Sequence, residues 1–366
     1  MACLYSFCWE YIVIIVCTGV SGSGRKSAIL SMMEYAKSKG QKVELINVGE
    51  RMYEKSDSLG YTITEGKILD CSEKDLDYLR AIVFEDICRE KDKTENLIIN
   101  THACFRWNKY ITKAFDYYYL TKLNPDIYIT VTDTIYSIYG RLETSQWKGR
   151  NALWELLAWR DEEEHITKTF SLIQKKKHFI ICHEDPPETM YNICFKPNVK
   201  KTYLSYPISA GDPNAIRQVM EFRDILRKNI VVFDPLAIKD IEWLTAALVE
   251  KKQGKATIEI PFIDNQGKND KIDFKIEDLE TVEEYLKDQT FMRDYNMISQ
   301  SDFVTVYYYD PDINSPGVQR EIRYAKENGK DVYIYYPKKE MSPFLERDIS
   351  KHFLDRREFI QFLASL

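Results

Sequence analysis

The sequence predicts an α/β protein made of two doubly wound parallel-sheet domains in succession. A length of 366 residues exceeds what a single hydrophobic core ordinarily organises. Short apolar runs alternate with longer amphipathic segments in both halves, as in sheets covered by helices. Between the halves, Phe195-Lys196-Pro197-Asn198-Val199-Lys200-Lys201 is short, polar and proline-containing, and a new strand pattern starts after it. The expected domains are residues 11–195 and 201–366.

In the first half, strands are expected at Ile12–Cys17, Val43–Asn47, Leu97–Asn100, Ile127–Thr132 and Phe179–Cys182. Helices are expected at Ser27–Lys39, Glu73–Glu90 and Arg160–Lys176. The opening apolar run, Tyr11 to Cys17, is far short of the roughly 20 residues that span a bilayer, lacks a basic flank and meets a glycine-rich loop at once. It reads as a buried strand rather than a membrane anchor or signal, with residues 1–10 as a variable, poorly ordered leader. In the second half, strands are expected at Thr202–Tyr206, Ile230–Phe233, Phe303–Tyr309 and Asp331–Tyr335. Helices are expected at Asn214–Lys228, Ile241–Glu250, Leu279–Ser299 and Val318–Asn328. Residues Gly254 to Lys275 read as a polar hairpin insertion that covers a pocket, mediates subunit contact or is a plain surface excursion.

Hydrophobic residues make up 44% and charged residues 30%, a globular composition. The net charge of −6 is spread without a long basic stripe, which argues against nucleic acid as a main partner. Eight cysteines occur without a CxxC pair or zinc-ligand spacing, and five histidines form no metal constellation. The cysteines read as reduced thiols of a cytoplasmic protein, and no bound metal is expected from these residues.

The apolar run Phe303–Tyr309 opens into DPDINSPGVQRE, which ends at Glu321. Ligands of open α/β sheets bind outside the carboxyl ends of strands, and that is where this carboxylate falls. Asp294 lies on the segment leading into the same strand, and Ser315 stands in the loop. Two carboxylates and a hydroxyl suit a glycosidic bond: one attacks the anomeric carbon, another manages the leaving group's proton, and the hydroxyl holds the ligand. The same residues also suit structural work, since a Glu in a first helical turn complements the dipole and Asp294 or Asp302 can cap an end.

After the first strand comes Gly19-Val20-Ser21-Gly22-Ser23-Gly24-Arg25-Lys26-Ser27, followed directly by a helical segment. Glycines let backbone N–H groups converge on phosphate oxygens at a helix N-terminus. Against GxxxxGK[ST], Arg25 takes the lysine place, Lys26 the first hydroxyl place, and Ser27 follows. With INVGERMYE at 46–54, INTHACF at 99–105, KLNPDIYITV at 122–131 and the arginine-bearing stretch from Arg141 to His165, this half resembles the archaeal type of adenylate kinase, a P-loop nucleoside monophosphate kinase. The resemblance implies ATP and Mg²⁺ as ligands. It assigns Gly19, Gly22, Gly24, Arg25, Lys26 and Ser27 to the triphosphate, and Arg141, Arg150 and Arg160 to a lid, although each arginine is equally a solvated helix residue. Asn100 stands where it implies an aspartate before Thr-His, without the charge that helps hold Mg²⁺.

TYLSYPIS at 202–209, VVFDPL at 231–236, RDYNMISQSDFVTVYY at 293–308, SPGVQREIRYA at 315–325 and GKDVYIYY at 329–336 resemble the nucleoside 2-deoxyribosyltransferase family, which includes N-glycosidases of 2′-deoxynucleoside 5′-monophosphates. The resemblance implies Glu321 as nucleophile, Asp294 as partner of the sugar hydroxyl or proton donor to the base, and Tyr203 as the group orienting Glu321. As an aromatic residue opening a strand, Tyr203 is equally a packing residue. Ser315 in place of an aspartate implies a 5′-phosphate ligand, with Gly317 and Val318 offering main-chain contacts and Arg320 or Arg323 assisting.

The expected protein is a nucleotide-metabolism enzyme. It cleaves or exchanges the N-glycosidic bond of (deoxy)nucleoside 5′-monophosphates and carries an ATP-binding kinase-like domain. A glycohydrolase of NAD and a nucleotide-binding regulatory protein with a degenerate kinase domain are the alternatives. Nucleoside monophosphates and ATP are the expected partners, with no membrane and a homo-oligomer formed through the second half.

Overall fold

The computed structural model describes residues 13–60, 63–64, 66–93, 95–107, 109–208 and 213–366. The expected leader at 1–10, the first residue of the expected opening strand and Ser209 lie outside the described residues. The chain divides into two compact units. One takes the residues up to Thr132, Ser137–Phe179 and Ile263–Lys268; the other takes Asp133–Tyr136, Ile180–Phe262 and Asn269–Leu366.

Among the described residues the strands of the first half are β1 Val13–Thr18, β2 Glu44–Asn47, β3 Asn96–Asn100, β4 Cys104–Trp107, β5 Tyr110–Lys113, β6 Ile127–Thr132 and β7 Lys177–Cys182. Five form a sheet in the order β2-β3-β1-β6-β7, as the alternating pattern predicts, and β4 and β5 form a separate antiparallel ribbon. β1 and β6 are central strands, and their near-continuous V-I-I-V-C-T and I-Y-I-T-V-T runs are those of strands covered on both faces. One face packs Ile14, Val16, Leu97, Ile99 and Tyr128 against Leu79, Val83 and Phe84 of the helix Glu73–Glu90. Ser72 caps that helix, its hydroxyl accepting from the Asp75 amide at 3.2 Å. The predicted helix at 160–176 extends further toward its N-terminus, running from Leu153 to Ile173.

In the second half the strands are β8 Lys201–Ser205, β9 Val231–Phe233, β10 Thr257–Ile263, β11 Asn269–Lys275, β12 Phe303–Tyr307, β13 Asp331–Tyr335 and β14 Lys351–Phe353. Five pair in parallel in the order β14-β13-β12-β8-β9. Counted within this sheet the order is 2-1-3-4-5, the flavodoxin-like winding, whose ligand crevice opens between the first and third strands. Here those are β8 and β12, in register with Tyr203 beside Val304 and Ser205 beside Val306. The core joins Leu204, Val232, Phe303 and Tyr307 to Phe222 and Phe359.

Two expected elements of this half take a different form. The expected helix at 279–299 is two helices, Ile276–Thr281 and Glu283–Gln300, which meet at Val282. The hairpin insertion is present as β10 and β11 but is not wholly polar: Ile258, Ile260, Phe262 and Phe274 are buried, following the period-2 alternation of a one-faced strand. No helix among the described residues is long and apolar enough to cross a membrane.

Gly19 leaves the end of β1 with φ of 149°, and a Cβ there would stand 2.3 Å from the Val131 carbonyl oxygen. Gly19→Ala therefore meets both backbone strain and backbone contact, and is expected to lower stability by about 1–3 kcal/mol or more. Chemical denaturation of the variant measures this, and an unchanged midpoint would contradict it.

Candidate functional site

The helix Pro316–Glu327 follows β12 and turns Val318, Ile322 and Ala325 into the core, at the i, i+4 and i+7 spacing of one helical stripe. Glu321, next to Val318 on that stripe, faces the carboxyl end of the sheet. Its Oε1 accepts from the Tyr203 hydroxyl at 2.8 Å, and its Oε2 accepts from the Ser205 hydroxyl. Tyr203 and Ser205 are two apart on β8, so both point to the same face, and both are fully buried.

Burial is the main reason the Glu321 carboxyl is pushed up to about 8, and the charge of Asp294 adds to it, while both hydroxyls act in the opposite direction. Burial also raises Asp294, and the neighbouring guanidinium of Arg293 opposes that shift. Arg293 donates to Asp294 Oδ1 from Nε at 3.2 Å and from Nη2 at 3.1 Å. Its Nη1 also donates to the Ile238 carbonyl at 3.2 Å, so the ion pair is anchored to the chain after β9. Burial and the charges of Asp294 and Glu321 raise the Tyr203 phenol well above its ordinary value, which keeps it a hydrogen-bond donor. Asp234, at the exit of β9, accepts from Tyr206 Oη at 2.9 Å and Arg223 Nη1 at 2.7 Å, and its charge also acts on Asp294.

Ser315 is the N-cap of the Glu321 helix, its Oγ facing the Val318 amide at 3.5 Å. Gly317 is exposed, and a Cβ there would meet nothing within 4 Å, so the first helical turn lies open to a ligand. Arg323 pairs with Glu327 at 2.9 Å, and the Arg320 guanidinium stands 5.9 Å over the Phe291 ring.

In the first unit, Gly22 and Gly24 turn the loop with φ of 79° and 74°, conformations natural to glycine. Arg25 points across the loop: Nε donates to Asn100 Oδ1, Nη1 to the Gly19 carbonyl, and Nη2 stands 3.1 Å from His102 Nε2. Lys26 meets Glu50 at 2.6 Å, and Ser27 Oγ donates to the Gly24 carbonyl at 2.7 Å. Arg25, Lys26, Asn100, Thr101 and His102 line a cavity of about 190 Å³. Beneath the loop lies Glu163, fully buried on the helix Leu153–Ile173. Its carboxylate accepts from the amides of Gly19 at 3.0 Å, Ala103 at 2.9 Å and Cys104 at 2.9 Å.

The three arginines expected in a lid have different surroundings. Arg141 is buried and donates to the Gly22 carbonyl at 2.7 Å, Arg150 lies 4.0 Å over the Trp107 ring, and Arg160 is half-buried on the long helix. Among the described residues, no group of three or more His, Cys, Asp or Glu is placed to hold a metal.

The structure therefore brings together Glu321, Asp294 and Tyr203, with Ser315 at the start of the same helix as Glu321. It adds four residues that the sequence reading did not single out: Ser205, Arg293, Asp234 and Glu163. Ser205 was detectable in principle, because the period-2 rule places it on the face of Tyr203. Glu163 and Asp234 owe their roles to partners elsewhere in the chain, and Arg293, although it pairs with the next residue, is held in place by the Ile238 carbonyl, which no local pattern reveals.

Residues 18–153 match the profile of a family described as an AAA domain, a P-loop fold, and the matched span contains the loop, Asn100, Arg141 and Arg150. No curated protein matches the chain. Among solved structures it is similar to a 2-deoxyribosyltransferase from the psychrotolerant bacterium Bacillus psychrosaccharolyticus, at 16% identity and a TM-score of 0.28, over 45% of this chain and 91% of that one.

The raised Glu321 carboxyl has a consequence for stability. Between its ordinary value of 4.5 and about 8, the folded state keeps a proton that the unfolded chain has released, so stability falls as pH rises through that window. Glu321→Gln removes this proton uptake, and its melting temperature is expected to exceed that of the parent at pH values above the window. Thermal unfolding across the pH range tests this; identical pH dependence in the two proteins would contradict it.

Proposed function

We propose that the second unit cleaves or exchanges the N-glycosidic bond of a (deoxy)nucleoside 5′-monophosphate, and that the P-loop unit binds a nucleoside triphosphate such as ATP. The observation that carries the first part is the desolvated Glu321 carboxylate, held by Tyr203 and Ser205 at the mouth of the β8–β12 crevice with Asp294 in electrostatic range. Two hydroxyls fix both oxygens of the carboxylate yet leave lone pairs for attack, and the site is dry enough for charge stabilisation to count.

In this mechanism a Glu321 oxygen bonds to C1′ as the bond from C1′ to the base nitrogen breaks. The electron pair passes to the base, which takes a proton from Asp294. Water then attacks C1′, giving its proton to the Asp294 carboxylate, and Glu321 departs as a carboxylate; a second base in place of water gives exchange. Below about pH 8 the pair holds one proton, which rests on Glu321; the competent state is the tautomer in which that proton has passed to Asp294 and the charge lies on Glu321. Ser315 and the open turn at Gly317 and Val318 receive the 5′-phosphate, where a helix N-terminus favours an anion.

Glu321→Gln is expected to abolish release of free base from a panel of nucleoside and deoxynucleoside monophosphates, resolved by chromatography. Full retention of base release by that variant would remove Glu321 from the reaction. An arm containing NAD separates this activity from dinucleotide glycohydrolysis. Tyr203→Phe removes one donor to the nucleophile and is expected to lower kcat by on the order of 10²-fold. Because the shared proton leaves the pair near pH 8, kcat/KM should fall above that value. A rate that keeps climbing through pH 9 would show that no such proton is used.

A further inference from the structure

Loops of this class ordinarily hold nucleotide phosphates together with Mg²⁺. The metal is gripped by a Ser or Thr hydroxyl in the first helical turn and by an aspartate at a strand exit. The donor set here does not fit that ion. Lys26, a cation, occupies the hydroxyl place, and Ser27, one residue later, turns its hydroxyl back to the Gly24 carbonyl at 2.7 Å. At the exit of β3 the aspartate place holds Asn100. Its carbonyl oxygen is taken by Arg25, and its amide donates to Asn47 Oδ1 at 2.7 Å. The nearby carboxylates are committed elsewhere: Glu163 accepts three backbone amides, and Glu50 binds Lys26 at 2.6 Å and Asn47 at 2.8 Å.

What the site does offer is backbone and two cationic side chains, Lys26 held by Glu50 at 2.6 Å and Arg25 standing 4.0 Å from Glu163. Arg25 and Lys26 line the cavity beside the loop, which opens the helix Arg25–Ser38. Inside the loop, the Ser23 hydroxyl is 1% exposed and has no hydrogen-bond partner. It lies 2.8 Å from where a Cβ on Gly19 would stand, so it is directed into the ring of the loop, as a donor awaiting an acceptor would be. A guanidinium and an ammonium carry the two positive charges of a divalent cation once an incoming phosphate takes the place of Glu50 on the exposed Lys26 ammonium, and the guanidinium's planar fork suits phosphate oxygens.

We propose that the P-loop of this protein binds a nucleoside polyphosphate as the metal-free anion, with Arg25 and Lys26 standing in for the divalent cation. The inference rests on the reading of this unit as a nucleotide-binding domain.

Titration calorimetry of the full chain with ATP, in Mg²⁺ and in EDTA, tests it. The expected result is an affinity in EDTA equal to or tighter than that in Mg²⁺. Lys26→Glu, a reversal at an exposed side chain, should weaken binding in both buffers by on the order of tenfold or more. Asn100→Asp should make the affinity depend on Mg²⁺, by returning a carboxylate to the strand exit. Binding that appears only with Mg²⁺ would overturn the metal-free proposal while leaving the loop a nucleotide site. Unchanged affinity in Lys26→Glu would place the ATP elsewhere and overturn it too. Absence of ATP binding in both buffers would sink the nucleotide-binding reading and the inference together.

Discussion

Both units are organised around a carboxylate withdrawn from water at the end of a sheet, and the cost of that withdrawal is met in two different ways. Glu163 is held by three backbone amides, donors that belong to the strand and loop ends and cannot turn away. The arrangement ties the start of the phosphate loop to the connection after β3, and it uses the carboxylate fully. Glu321 is held by two side-chain hydroxyls from one strand, with Asp294 adding a like charge in range. Such a group is poised rather than saturated, because its proton and its lone pairs remain available.

The winding of the second sheet explains why this poised group lies where it does. With β8 and β12 adjacent, the chain departs from them in opposite directions, the winding for which ligands bind outside the carboxyl ends of the strands. Tyr203 and Ser205 reach that end from β8, and Glu321 reaches it from the helix after β12. Asp294 arrives on the helix before β12, fixed by Arg293 to the chain after β9. Three segments thereby converge on one point, each brought there by a regular element, while a fourth, the bend at Ile238, holds Arg293 in place.

The first unit keeps the backbone of a phosphate loop while changing the side chains that usually accompany it. Asn100 in the carboxylate place gives Arg25 an amide oxygen, with the Glu163 carboxylate 4.0 Å away, and Lys26 at the helix start pairs with Glu50. Against the ordinary loop, the set has exchanged a carboxylate for an amide and a hydroxyl for an ammonium.

Much of this was legible in the residues themselves. Periodicity located the sheet strands of the first half and most of those in the second, because a strand covered on both faces must be apolar along its length. The loop, Glu321, Asp294 and Tyr203 were named from motif and position, since glycine turns and strand exits are local properties. Short or one-faced pieces were not located: β4, β5 and β14 are only three or four residues long, too brief to show a period. The division at Val282 was also hidden, because an apolar residue at a helix junction looks like any other on a helical stripe. The sequence alone determined most of the sheet strands, the longer helices and which residue types stand at their ends. Only the tertiary structure decided that Ser205 shares Glu321, that Arg293 restrains Asp294 and that Glu163 anchors the phosphate loop. Those roles come from closeness in space between residues far apart in the chain, as Gly19 with Glu163, Ser205 with Glu321 and Ile238 with Arg293, and from the desolvation that packing alone imposes.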